Sequence, residues 1–320
     1  MAQLNMVQAI NQALAQEMAR DDRVVIIGED VGRDGGVFRV TEGLQDRFGP
    51  ERVLDTPLSE SGIMGAAIGM AACGLRPVPE IQFMGFTYSA FEQLFAHGAR
   101  LRSRSRGRFG CPMVVRTPYG GGIKAPELHE ESTEALFCQA PGLKVVVPSG
   151  PYNAKGLLLA SLRDPDPVLF LEPTRLYRMI KEEVPEGEYL VELGRARVAR
   201  PGREVTVVAW GSMLERVLKA VAGFDAEVID MLTLNPLDME CVLGSVKKTG
   251  RAVIVHEAAL TCGVGAEIAA TLACDGILFL RGPVKRVAAP DVPVPLAKLI
   301  DHYLPSIQQI QAAVEDVLKY

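Results

Sequence analysis

The sequence predicts an α/β protein in two units: a doubly wound, mostly parallel sheet over residues 1–185, and a smaller α/β unit over 203–320, joined by a linker at 186–202. Three observations carry this. Short β-branched runs at Val24 to Ile27, Val78 to Phe83, Met113 to Val115, Lys144 to Val147 and Val168 to Leu171 lack apolar/polar alternation, as strands buried on both faces do. Helical patterns separate those runs, which suits crossover connections. Between Ile180 and Gly202 the composition shifts to Pro185, Glu186, Gly187, Pro201 and Gly202, and the alternation then restarts.

Met1 to Met18 has apolar positions at helical spacing and lacks the basic start and apolar centre of an export signal, so it is expected to be an amphipathic helix. Ile63 to Leu75 is nearly free of polar side chains and rich in Gly and Ala. It is too short to span a bilayer, which takes about 20 apolar residues. In the second unit Val205 to Ala209, Glu227 to Ile229, Ala252 to Val255 and Ile277 to Leu280 are expected strands. The intervening helices fall near Leu214 to Val221, Met239 to Lys247 and Gly265 to Leu272, and Ser306 is placed to cap a last helix running to Lys319.

At 320 residues and 48% apolar content the chain can bury two cores. A net charge of −5 argues against a general nucleic-acid binder, whose affinity comes from neutralising phosphates. No membrane span is expected. Six scattered cysteines without a Cys-x-x-Cys pair point to reduced thiols in a cytoplasmic protein. Arg100, Arg102, Arg104, Arg106 and Arg108 are expected to be a solvated or interface-pairing stretch.

Ligands of open α/β sheets sit at the carboxyl ends of strands, so the polar residues just past each run are the candidates. These are Glu29 and Asp30, then Glu60, then Gln82 and Phe86, then Gly120 to Gly122 leading to His129. Acids, an amide, an aromatic face and an imidazole around one crevice suit a flat nitrogen heterocycle. Glu60, flanked by Ser59 and Ser61 at the mouth of the small-residue helix, is expected to be partly desolvated and to share a proton with a ligand nitrogen.

The pieces IIGEDVG, GGVFRVTEGL, RVLDTPLSESGIMGAAIGMAACGLRPVPEIQF, GGGIKAPELH, PGLKVVVPS, KKTGRAVIVHEA and RVAAPDVPVP run in order along the chain. Together they resemble the β subunits of thiamine-dependent 2-oxo acid dehydrogenases. The resemblance implies a pyrimidine-binding domain followed by a transketolase-like C-terminal domain. It makes Glu60 the acid/base residue at N1′ of the aminopyrimidine. It sets Glu29, Leu58, Gln82 and Phe86 around that ring, with Phe86 where many relatives carry Tyr, and gives His129 a part in acyl transfer to lipoamide.

The resemblance further implies thiamine diphosphate shared with an α subunit in an α2β2 heterotetramer, docking on a lipoyl acyltransferase core. Related enzymes hold the diphosphate through Mg²⁺ with a Gly-Asp-Gly element and paired Asn. Neither occurs here, so Mg²⁺ is expected on the α subunit. A K⁺ site is implied at Met113, Ser161, Leu162, Asp164 and Asp166. Gly62, Gly65, Ala66, Gly69 and Ala72 are expected at a close helix contact. The activity implied is decarboxylation of pyruvate with a lipoyl disulfide as acceptor. Branched-chain 2-oxo acids or acetoin are the alternative substrates, and a noncatalytic interaction protein on the same fold is the reading from another class.

Overall fold

The computed structural model describes residues 1–320. Its first sheet has seven strands, in the order Thr233–Asn235, Lys144–Val146, Val168–Pro173, Val114–Tyr119, Arg76–Glu80, Val24–Gly28, Val53–Asp55. All neighbours run parallel except Thr233–Asn235, which returns from the second half of the chain to pair antiparallel with Lys144–Val146. The central strands are buried on both faces, which is why their sequences lack alternation.

The second sheet has five strands, in the order Lys285–Ala289, Ala252–Ala259, Val205–Ala209, Ala226–Asp230, Arg197–Arg200, with only the last antiparallel. A 33-residue apolar core runs through both units, from Ile63 and Met113 to Trp210 and Ile254. On the other face of the first sheet Met6–Arg20 packs with Pro151–Arg163 in a second core of 26 residues. Met6–Arg20 starts at a capping box in which Asn5 and Gln8 each accept the other's backbone N–H.

Three expectations are corrected. Ile277 to Leu280 is not a strand. Ile277–Phe279 is a 3₁₀ turn with Leu278 92% exposed, and the edge strand is Lys285–Ala289. A short apolar run between glycines carries no period that separates these outcomes. The first strand, Ala2–Leu4, precedes the N-terminal helix and pairs antiparallel with Glu182–Val184. The 186–202 stretch is not free of the sheets: Arg197–Arg200 forms an edge of the second sheet, and the buried Lys155 ammonium donates to the carbonyls of Pro185, Glu186 and Gly187.

Candidate functional site

Strand register assembles the site. Gly28 lies beside both Asp55 and Glu80, so three strands end level at one end of the sheet, and Glu80 lies beside Arg116 of a fourth that runs on to Tyr119. Residues one to five positions later therefore converge. Glu29 follows Gly28 and is buried at 9% exposure. Gly28 is required there because a Cβ would lie 2.8 Å from the Glu80 carbonyl oxygen. Burial raises the Glu29 pKa, and the neighbouring charges of Glu60 and Asp30 raise it further. Asp30 takes a left-handed conformation at φ 59°, and its carboxylate accepts from Gln82 Nε2 at 3.0 Å.

Glu60 is the first residue of helix Glu60–Ala72, with Ser59 as its N-cap. It is half-buried, and Ser89 donates a hydroxyl to its Oε2 at 3.1 Å. The burial expected of Glu60 falls more heavily on Glu29. Leu58, two residues before Glu60, is 78% exposed. None of the chain's ion pairs uses Glu29, Asp30 or Glu60. Three acids face one crevice with no cation of this chain to meet them.

The aromatic side is built by Phe83, Phe86 and His129. The ring of His129 lies 4.3 Å from that of Phe83 and 5.1 Å from that of Phe86. Its Nδ1 is 2.8 Å from the Glu127 carbonyl oxygen, which can only accept, so Nδ1 carries a proton and Nε2 is the ring nitrogen left without a partner in the chain. The 120–131 loop that brings His129 there is held on its own carboxylate. Glu130 Oε1 accepts the N–H groups of Gly122, Ile123 and Lys124 at 2.7–2.8 Å. Gly85 allows the close approach, since a Cβ would lie 2.3 Å from the Leu128 carbonyl oxygen.

The comparisons with known proteins follow this geometry. Residues 2–180 match the transketolase pyrimidine-binding domain and residues 194–310 the transketolase C-terminal domain. The pyruvate dehydrogenase E1 component subunit beta of Staphylococcus epidermidis is 50% identical, covering 98% of this chain and all of that one. The protein of the same description from Bacillus subtilis is 48% identical over the whole of both chains. The chain belongs to the pyruvate dehydrogenase E1 β-subunit family. A solved structure described as a split gene transketolase, inactive beta4 tetramer, has a TM-score of 0.80 at 24% identity over 99% of each chain, which establishes the fold shared with this family member.

Of the expected residues of this E1 β-family chain, Glu29, Glu60, Gln82, Phe86 and His129 are brought together through Asp30, Ser89 and the ring contacts, and Leu58 is exposed two residues before Glu60. Met113, Ser161, Leu162, Asp164 and Asp166 lie elsewhere, around the turn after Pro151–Arg163. There the carbonyls of Leu162 and Asp164 accept from the Arg76 guanidinium at 3.1 and 3.2 Å, that of Met113 accepts from Val168 N–H, and Lys144 pairs with the Asp164 carboxylate at 2.9 Å. No cluster of three or more His, Cys, Asp or Glu side chains suited to a metal ion occurs in the chain. In the arginine stretch Arg102 pairs with Asp166 at 2.5 Å, Arg104 donates to the Ala96 carbonyl, and Arg100 lies over Phe95.

Sequence reasoning did not carry Phe83 or Ser89 into the site. Phe83 reads as part of an apolar run, and only the 3₁₀ turn Met84–Phe86 aims it at His129. Ser89 lies 29 residues from its Glu60 partner and has no local signal.

Proposed function

We propose that this chain is the β subunit of a thiamine diphosphate-dependent pyruvate dehydrogenase E1 component, and that its crevice holds the aminopyrimidine of the shared coenzyme. The carrying observation is the set of three acids, Glu29, Asp30 and Glu60, left without an internal cation in a chain of this family. The donor set fits the group: an aminopyrimidine presents ring and exocyclic N–H groups, which uncompensated carboxylates accept. When bound, thiamine diphosphate supplies a thiazolium carbon that becomes a nucleophile and then an electron sink for decarboxylation.

The side chains of this chain act around that chemistry. Glu60 hydrogen-bonds N1′ and holds or yields the proton there, with Ser89 fixing its second oxygen. Glu29 beside it keeps an elevated affinity for a proton, raised by burial and by the neighbouring charges of Glu60 and Asp30. Gln82 orients Asp30, and Phe86 and exposed Leu58 offer apolar surface to the ring and exclude water from it. His129 takes or gives a proton through Nε2 as the acyl unit passes to a lipoyl group.

An α subunit completes the site and carries the diphosphate and its Mg²⁺. The exposed small face of Glu60–Ala72, with Gly62, Ala66 and Gly69 turned outward, supports a close helix contact with a partner in an α2β2 assembly. A lipoyl acyltransferase core is the further partner. No helix is long and apolar enough to cross a membrane, and the six free cysteines favour the cytoplasm. A K⁺ at the Ser161–Asp166 turn belongs to the same reading, because its backbone carbonyls each keep a second lone pair. A Tm that rises in KCl over equimolar NaCl checks it.

The deciding experiment is coexpression with an α chain, followed by carbon dioxide release from pyruvate and branched-chain 2-oxo acids, and acetaldehyde release from acetoin, in thiamine diphosphate and Mg²⁺ with ferricyanide as acceptor. The pyruvate rate is expected to exceed the others. An assembled pair that acts on none of them defeats the enzyme reading and favours a noncatalytic interaction protein.

A further inference from the structure

Glu257 lies on the second-sheet strand Ala252–Ala259, is 1% exposed, and reaches out of its own unit. Its Oε2 accepts the Gly121 N–H at 3.0 Å, 136 residues away in sequence, and its Oε1 accepts the Ser212 hydroxyl. Gly120 is needed for this contact: it sits at φ +82°, and a Cβ there would lie 2.6 Å from Glu257 Oε2. A Cβ on Gly121 would lie 3.1 Å from Ile300 Cδ1, so the C-terminal unit closes on the turn from a second side.

The turn is tied in its own right to the segment that bears the histidine. Gly120 N–H donates to the Glu131 carbonyl at 2.9 Å, and Glu130, next to His129, accepts three N–H groups of residues 122–124. A shift at Gly121 is therefore transmitted to Glu130 and Glu131, the two residues that follow His129.

We propose that Glu257 is a positioning residue: from the C-terminal unit its carboxylate fixes the Gly120–Gly122 turn, sets where His129 stands against Phe83 and Phe86, and makes the His129-dependent step answer to a proton on Glu257. The proposal rests on the acyl-transfer role given to His129 above.

The groups around Glu257 come from every neighbouring element. They are Ser212 and Arg216 at helix Met213–Ala220, Arg175 at the Thr174–Leu176 turn, Glu134 at helix Glu134–Cys138, Tyr119 at the end of its strand, and Tyr303 at Ile300–Tyr303. Burial pushes the Glu257 carboxyl up to about 7, with Glu134 adding to the rise and Gly121 N–H, Arg216 and Arg175 opposing it. Ionised, the side chain accepts from Gly121 and Ser212 at once, and such charge-assisted bonds are roughly twice as strong as neutral ones. Protonated, it loses that grip.

The test uses the assembled holoenzyme with Glu257→Gln, which keeps the shape and fixes the neutral state. Three quantities are followed from pH 6 to 8.5: acetylation of a lipoyl domain, pyruvate decarboxylation with ferricyanide as acceptor, and hydrogen-exchange protection of residues 120–131 corrected for intrinsic rates. The expected result is a roughly 5- to 20-fold lower kcat for lipoyl acetylation above pH 7, with the ferricyanide rate and the KM for pyruvate within about twofold. The wild-type step near pH 7 in both acetylation and protection disappears in the variant.

Parallel loss of both rates with an unchanged pH profile and unchanged protection overturns the proposal, as does a variant indistinguishable from wild type. If the wild-type enzyme acetylates no lipoyl domain, the acyl-transfer reading falls. The exchange measurement then decides alone whether Glu257 governs the turn. If Glu257→Gln does not assemble, Ser212→Ala replaces it. Removing that donor should move the midpoint upward in pH, and an unmoved midpoint counts against the proposal.

Discussion

Two sets of carboxylates sit at the same edge of the first sheet and meet opposite fates. Glu80 and Glu172 are buried at 6% and 0% exposure and converge on Arg116. Arg116 donates to Glu80 at 2.6 Å and holds Glu172 with both Nε and Nη2, at 2.7 and 3.0 Å, while Tyr177 donates to Glu172 at 2.6 Å. Glu29, Asp30 and Glu60 lie a few residues away and have no such cation. Burial alone does not mark a functional acid, since Glu80 and Glu172 are deeply buried and serve as paired structure. The informative property is a desolvated acid that the chain leaves unpaired.

The largest difference between the two sets concerns what breaks when a member is changed. Glu60→Gln is expected to lower decarboxylation by about 10²- to 10⁴-fold, the scale of a lost general acid/base, with a Tm within about 1 °C of wild type. Near-normal turnover would remove Glu60 from its role. Arg116→Met should do the reverse, leaving two carboxylates uncompensated in the core. Breaking a buried pair from one side costs about 3–5 kcal/mol, so urea unfolding should show the loss directly. A Tm unchanged by Arg116→Met would make the pairing argument untenable.

Much of this contrast was legible in the sequence, and its limits have physical causes. Runs such as Val24 to Ile27 and Val168 to Leu171 announce a parallel sheet because burial on both faces removes alternation, and Ser306 announces a helix start, since its hydroxyl accepts Gln309 N–H. Strand-end position was enough to single out Glu29, Glu60 and Gln82. What could not be read was partnership across long separations. Glu80 and Arg116 look no different in sequence from Glu29 and Arg33 until register aligns the strands. Ile277 to Leu280 imitates a strand because four apolar residues in a row carry no usable period. The resemblance of the quoted motifs supplied the roles of Leu58 and His129, which neither spacing nor composition could assign.

Proton linkage gives the next comparison, between wild type and Glu257→Gln. The folded-state pKa of Glu257 is raised to about 7, above its value in the unfolded chain, so its contribution is fully present below the unfolded value and lost as pH rises through 7. Raising the pH from 5 to 8.5 should therefore lower wild-type stability relative to Glu257→Gln by about 3 kcal/mol, an order-of-magnitude figure at 1.36 kcal/mol per pKa unit. Wild type thus loses stability toward pH 7 that the variant keeps, while the variant's His129 loop is held less firmly. The comparison is read from Tm against pH for both proteins, and two parallel curves would show that Glu257 does not titrate in that window.

The smallest expected effect separates the chain's own packing from its contact with a partner. Gly69 lies on the outward face of Glu60–Ala72, and a Cβ there meets nothing within 4 Å, whereas a Cβ on Gly85 would collide with Leu128. Gly69→Ala should leave the isolated chain unharmed or more stable by up to about 1 kcal/mol, because glycine is costly inside a helix. Gly69→Leu should likewise fold as a single chain, yet a bulky side chain on that face keeps a partner helix from approaching to the 8–10 Å or so typical of helix packing. Size-exclusion chromatography with the α chain separates the outcomes. Wild type and Gly69→Ala should assemble, with Gly69→Leu eluting as separate subunits; full assembly of Gly69→Leu would move the interface to another face and leave the small-residue stripe with only a local role.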